Sequence, residues 1–131
     1  MHIHPVLQIA INGQPVSIPA NIGIDPSLWQ DHSLDEYSMM QDMPDGMSGM
    51  APLHTHDAAG TIHVESRVTR AYTIGEFFRI WGQTFDENQL TGHPAGPGHR
   101  VSMAVDGVPV PVSQTLVLRD GMSIVIVCDE A

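Results

Sequence analysis

Lysine is absent from this 131-residue chain, and five arginines are the only side chains with a permanent positive charge. Fifteen aspartates and glutamates oppose them, which gives a formal net charge of −10 with neutral histidines. A surface this acidic repels the phosphate backbone of nucleic acids and the anionic headgroups of membranes. We therefore expect no nucleic-acid partner.

Cysteine and long apolar runs are also scarce. The one cysteine, Cys128, has no partner for a disulfide within the chain, and its apolar segment predicts a buried thiol. No apolar run approaches the roughly 20 residues that cross a bilayer, so we expect no membrane-spanning segment in this chain. The chain opens without a basic or apolar leader, which predicts either a cytoplasmic protein or one whose leader was removed.

Composition and length predict one folded domain over residues 1–131. Hydrophobic residues make up 42% of the chain and charged residues 15%, which is typical of a globular protein. A chain of this size buries about two-thirds of the surface that its unfolded form exposes. A hydrophobic core is therefore available without disulfides.

Two hairpins and a helix can be placed from local signals. Alternating apolar residues surround Asn12-Gly13 and Asp106-Gly107, the residue pairs that favour tight turns with positive φ. Between these hairpins, Thr73 and Glu76 have the spacing of a capping box, and Gly82 is a typical helix stop. The helix carries an apolar stripe of Ile74, Phe77, Phe78 and Trp81.

The order of these elements predicts an α+β fold with a mixed sheet and one main helix packed on it. The nearly all-apolar strand from Met122 to Cys128 should be central in the sheet. Both ends of the chain and the helix resemble ubiquitin-like β-grasp domains, so we expect a β-grasp-like sheet. An inserted His-rich hairpin (52–67), a Met- and Asp-rich loop or insertion (25–51) and a Gly/Pro loop (85–100) interrupt that pattern.

The inserted hairpin is the best candidate for a functional site. A two-residue turn at Ala58-Ala59 would place His54 opposite His63, with His56 on the same face, because side chains alternate along a strand. Three imidazoles at this spacing can reach a common metal ion. Glu65 shares their face as a fourth ligand, as a hydrogen-bond acceptor that orients a ligand, or as a general base. The alternative is a set of ordinary surface histidines.

A second His-x-His pair opens the chain. His2 and His4 lie on one face of an edge-like strand, where they either complete the hairpin site or form a site of their own. The alternative is a frayed terminus with no role. His93 and His99 flank a Gly/Pro loop, and we expect both to be solvated.

Five methionines lie within twelve positions: Met39, Met40, Met43, Met47 and Met50. Thioethers are soft ligands that select Cu(I), so this segment is suited to capturing copper. Methionine side chains of a loop can also pack on a hydrophobic surface where the loop docks, and that interpretation stays open.

Three segments resemble an uncharacterised family of exported bacterial and archaeal proteins. They are residues 2–5 (HIHP), 53–66 (LHTHDAAGTIHVES) and 72–82 (YTIGEFFRIWG). The resemblance implies a periplasmic or extracellular location, with a membrane anchor in some full-length members, and implies that the histidines belong together. It carries no established activity.

Three functions follow from these observations. The first is an extracytoplasmic metal-binding protein, copper first and zinc second, that captures, buffers or delivers the ion to a partner protein. The second is a hydrolase-like zinc enzyme with three histidine ligands and Glu65 as general base, which requires a concave pocket at the hairpin. The third is a β-grasp interaction module without metal.

Overall fold

A computed structural model describes residues 1–38 and 49–130 of the chain. These residues form one α-helix and ten β-strands: β1 (His2–Ile3), β2 (Val6–Ile11), β3 (Gln14–Val16), β4 (Leu53–His54), β5 (His63–Glu65), α1 (Ile74–Trp81), β6 (Gln89–Leu90), β7 (His93–Pro94), β8 (Ser102–Val105), β9 (Val108–Val110) and β10 (Ser123–Cys128). In these two ranges no helix has the length and apolar character needed to cross a bilayer. Short 3-10 turns, Pro26–Leu28 and Asp35–Tyr37, occupy part of the predicted loop.

The larger sheet has five strands in the order β3-β2-β10-β8-β9. Strand β10 runs parallel to β2 and antiparallel to β8, so the sheet is mixed and its last strand is central, as predicted. The outer strands β3 and β9 have three residues each, with Pro15 and Pro109 in the middle. Mixed α+β architecture is therefore confirmed.

The two predicted turns have the expected backbone. Asn12 and Gly13 have φ of 51° and 77°, and Asp106 and Gly107 have φ of 51° and 81°. Positive φ at both central residues defines the turn whose twist matches that of the flanking strands. These turns set the β2–β3 and β8–β9 pairings.

Helix α1 begins and ends where its sequence predicts. Thr73 Oγ1 accepts from the Glu76 backbone N–H at 3.3 Å, and the Glu76 carboxylate accepts from the Thr73 N–H at 2.8 Å. Gly82 ends the helix with φ of 78°. The apolar stripe is buried and joins one core cluster with residues of β2 and β10, including Leu7, Ile9, Ile124 and Ile126.

A separate three-stranded sheet has the order β1-β5-β4 and carries the inserted hairpin. The predicted two-residue turn at Ala58-Ala59 is wrong: residues 55–62 connect β4 to β5, because each arm bonds another segment. Thr55 exchanges backbone hydrogen bonds with Asn21 and Ile22, while the Gly60 carbonyl accepts from the Leu7 N–H at 2.8 Å. The expected pairs of residues 55–57 with 60–62 are therefore not formed.

The segment predicted as a Gly/Pro loop (85–100) contains a small hairpin of its own. Strands β6 and β7 pair through Gln89 with Pro94 and Leu90 with His93. Two residues with positive φ, Thr91 and Gly92, form its turn. A pairing this short has no alternating apolar pattern, which is why the sequence did not indicate it.

Candidate metal centre

Backbone pairing brings the six predicted ligand residues together: four lie on three short strands, and His4 and His56 lie just beyond the ends of β1 and β4. His54 lies opposite His63 in the β4–β5 pair, as the hairpin pattern predicts. His2 lies opposite Glu65 in the β1–β5 pair. Strand β5 thus holds His63 and Glu65 between β1 and β4, which places His2 beside Glu65 and the His4 ring against the His63 ring.

Five imidazole rings form a continuous group. The His63 ring centroid is 4.5 Å from that of His56, 5.7 Å from that of His54 and 4.8 Å from that of His4. The His2 and His4 centroids are 4.6 Å apart. Two sets of three residues each have ligand atoms within 4.8 Å of one another. We call His54, His56 and Glu65 the inner trio, and His2, His4 and His63 the outer trio.

His54 is the most constrained ring of the group. Its side chain is 1% exposed. Its Nδ1 lies 2.7 Å from the Ala51 carbonyl oxygen, which can only accept, so Nδ1 carries the proton and donates. In the neutral ring Nε2 therefore bears the lone pair. A backbone carbonyl that fixes the tautomer and orientation in this way is typical of metal-ligating histidines.

The lone pair of His54 faces an atom that cannot donate to it. Nε2 is buried without a hydrogen-bond partner and lies 3.4 Å from Glu65 Oε1. Two acceptor atoms in this position repel each other unless a proton or a metal ion lies between them. Two ligands about 2.05 Å from a tetrahedral ion are about 3.3 Å apart, which closely matches the observed separation.

Burial favours the neutral form of two of the imidazoles. Desolvation lowers the pKa of His54, against the opposing effects of the Ala51 hydrogen bond and the Glu65 charge. Desolvation also lowers the pKa of His63, and its neighbours His56, His54 and His4 lower it further. Only a neutral imidazole binds a metal, so at neutral pH these rings need not lose a proton first.

Exposure differs within the cluster: His54 is buried, and each trio includes one exposed histidine. The side chains of His63 and Glu65 are 21% and 20% exposed, and those of His4 and His2 are 42% and 58% exposed. His56 is also exposed. The site is therefore anchored in the protein at His54 and open to solvent on the opposite side.

Other candidate residues lie elsewhere. His93 is exposed with Nδ1 2.6 Å from Glu130, His99 is exposed, and His32 stacks on Trp29. Cys128 is fully buried, as predicted. Asp57 accepts from the Ala59 N–H at 3.0 Å, which is a turn-capping contact.

Among the clustered methionines only Met50 is described. It is half-buried, and its carbonyl accepts from the Ser38 hydroxyl. The predictions for Met39, Met40, Met43 and Met47 fall outside the described residues.

A groove of about 530 Å³ lies against β2, β3 and residues 58–60. Its lining is largely apolar and includes Leu7, Ile9, Val16 and Ile18, but none of the six ligand residues. The groove is thus separate from the pocket that a hydrolytic site at the hairpin requires.

Comparisons with models of protein families, with curated proteins and with solved structures give no match.

Proposed function

We propose that this protein binds a transition-metal ion, copper first and zinc second, through the cluster of His2, His4, His54, His56, His63 and Glu65. The observation that supports this most strongly is the buried Nε2 of His54, which lacks a hydrogen-bond partner and faces a carboxylate oxygen at 3.4 Å. A metal ion between these two acceptors removes their repulsion and replaces it with two bonds.

The imidazole and carboxylate donors of the cluster favour copper and zinc among the divalent first-row metals. Imidazole nitrogen suits both copper and zinc, and a single carboxylate is compatible with either. For one set of nitrogen and oxygen ligands, Cu(II) binds more tightly than Zn(II). Copper is therefore the first candidate and zinc the second.

The contrast between buried His54 and the exposed imidazoles supports capture, buffering or delivery of the ion. An ion held by His54 and Glu65 remains accessible from the side of His2 and His56, which are exposed. A partner protein can approach from that side and replace the protein's ligands one at a time. The acidic surface, with a net charge of −10, attracts cations and increases their rate of encounter.

Metal titration tests this proposal. We expect Cu(II) and Zn(II) to bind stoichiometrically to the wild type. This binding should be lost in the triple variant His54→Ala, His56→Ala, His63→Ala. The matched control removes three imidazoles outside the cluster: His32→Ala, His93→Ala, His99→Ala. Equal loss in both variants, or wild-type binding weaker than micromolar, contradicts the proposal.

We also propose that the larger sheet and the helix form a β-grasp fold. The support is the strand order β3-β2-β10-β8-β9, with parallel central strands and a helix between two hairpins. Amide-to-amide NMR contacts between Ile9 and Ile126 on the parallel strands test it, because a different strand order lacks them.

For location, we propose the periplasm or the extracellular space, on the basis of the family resemblance alone. Fractionation of cells that express the complete gene tests it.

A further inference from the structure

We propose that the cluster holds two metal ions, with Glu65 as the bridging carboxylate between an inner ion at His54 and His56 and an outer ion at His2 and His4. This inference rests on the proposed function and extends it from one ion to a pair. Its basis is the number of donors, the position of Glu65 between the two trios, and the charge around the outer trio.

The donors exceed what one ion uses. Structural zinc sites are almost always four-coordinate. Here five imidazoles and one carboxylate lie in two sets of three, each compact enough to surround an ion. A single four-coordinate ion would leave two of these six side chains unused.

Glu65 contacts both trios through the same oxygen. Its Oε1 is 3.4 Å from Nε2 of His54, 3.5 Å from Nε2 of His2 and 3.8 Å from Nδ1 of His63. A carboxylate has two oxygens with about four lone-pair positions, so it can bind an ion on each side. The ions of two-metal protein sites are about 3.5–4 Å apart.

A second carboxylate offsets the charge of the outer ion. The backbone N–H of His4 donates to Asp120 at 2.9 Å, and Nδ1 of His4 lies 4.0 Å from the same carboxylate oxygen. Asp120 therefore lies beside the outer trio, while Glu65 lies between His54 of the inner trio and His2 and His63 of the outer trio. Repulsion between two cations is reduced by negative charge on both sides of the outer position.

The two positions differ in preorganisation, which predicts the order of filling. His54 is held by the Ala51 carbonyl and is buried, so the inner ion meets a ligand that is already oriented. His2 belongs to a two-residue strand at the edge of the small sheet and is exposed. We expect the inner ion to bind first and the outer ion to fasten β1 to β5.

Stoichiometry and spin coupling together test the inference. Native mass spectrometry with Zn(II) counts the ions on the wild type, on His2→Ala/His4→Ala and on the control His93→Ala/His99→Ala. We expect two ions on the wild type, one on His2→Ala/His4→Ala and two on the control. Electron paramagnetic resonance with Cu(II) measures proximity: the signal should grow with the first equivalent and be broadened or reduced by the second. His2→Ala/His4→Ala should keep only the uncoupled signal.

The outcomes separate the two proposals. One ion on both the wild type and His2→Ala/His4→Ala overturns the two-ion inference and leaves the single-ion function standing. Two ions on that variant overturn the assignment of the outer position. Two uncoupled Cu(II) signals overturn the bridge at Glu65. No ion on the wild type overturns both proposals. Circular dichroism of each metal-free variant establishes that the fold is retained.

Discussion

Thr55 lies between two proposed ligands, and replacing it with valine should destabilise the protein. Its hydroxyl donates to the Pro19 carbonyl at 2.8 Å and accepts from the Ile22 N–H at 3.1 Å. The residue is fully buried. Valine has nearly the same shape, so Thr55→Val removes the hydroxyl without opening a cavity, and it leaves the buried Ile22 N–H and the partly buried Pro19 carbonyl without that partner.

The magnitude follows from those two groups. Each buried polar group that loses its partner costs about 1–3 kcal/mol, so the variant should lose about 3 kcal/mol in free energy of unfolding. That is a large fraction of the roughly 5–15 kcal/mol available to a domain. With an m-value of about 4 kcal/mol/M in guanidinium chloride, the midpoint should fall by about 0.7 M.

Guanidinium unfolding of the metal-free protein measures this shift. The matched control is Thr115→Val, which removes an exposed hydroxyl 2.7 Å from Ser113 Oγ, and it should change stability by less than about 0.5 kcal/mol. A shift for Thr55→Val no larger than that of the control refutes the argument that this hydroxyl fixes the segment carrying His54 and His56.

Three further results are expected. Because burial lowers the pKa of His54, the unfolded chain takes up a proton near pH 6.5 that the folded metal-free protein resists. The free energy of unfolding should therefore be retained above that pH and fall below it, and the fall should be smaller in His54→Gln. Parallel pH profiles of the two proteins would contradict this. Gly60→Ala should lower the free energy of unfolding by at least about 2 kcal/mol, because Gly60 has φ of +84° and an added Cβ would collide with the Leu7 carbonyl. The control Gly13→Ala, with φ of +77° and open space, isolates the conformational part of that cost at about 1 kcal/mol. Equal losses of stability in the two variants would exclude the collision. Native Cys128, which is fully buried, should react with a thiol reagent orders of magnitude more slowly than the unfolded chain, and comparable rates would show that the thiol is accessible.

The sequence was most informative where local chemistry decides the structure. Asn12-Gly13 adopts positive φ for reasons confined to two residues, and Thr73 with Glu76 caps a helix through bonds that span three positions. The pairing of His54 with His63 was predictable for a similar reason, because a hairpin joins neighbouring segments of the chain.

Long-range pairing accounts for what local signals missed. Strand β1 has two residues and no pattern that identifies β5 as its partner, yet this pairing puts His2 opposite Glu65. The same applies to the residues around the turn, where bonds from Thr55 to Ile22 and from Leu7 to Gly60 replace the expected hairpin ladder. The Ala51 carbonyl that orients His54 belongs to a backbone, so no residue type could indicate it.

The prolines of the two outer strands limit how this protein meets other molecules. Each outer strand of the larger sheet has three residues, and its middle one, Pro15 or Pro109, has no N–H to donate. A β-strand of another chain that pairs with either edge of the sheet therefore meets an interrupted row of hydrogen-bond donors, which disfavours edge-to-edge aggregation. Under the proposed function, such edges direct recognition by a partner protein to side chains, and the exposed imidazoles are the proposed point of contact.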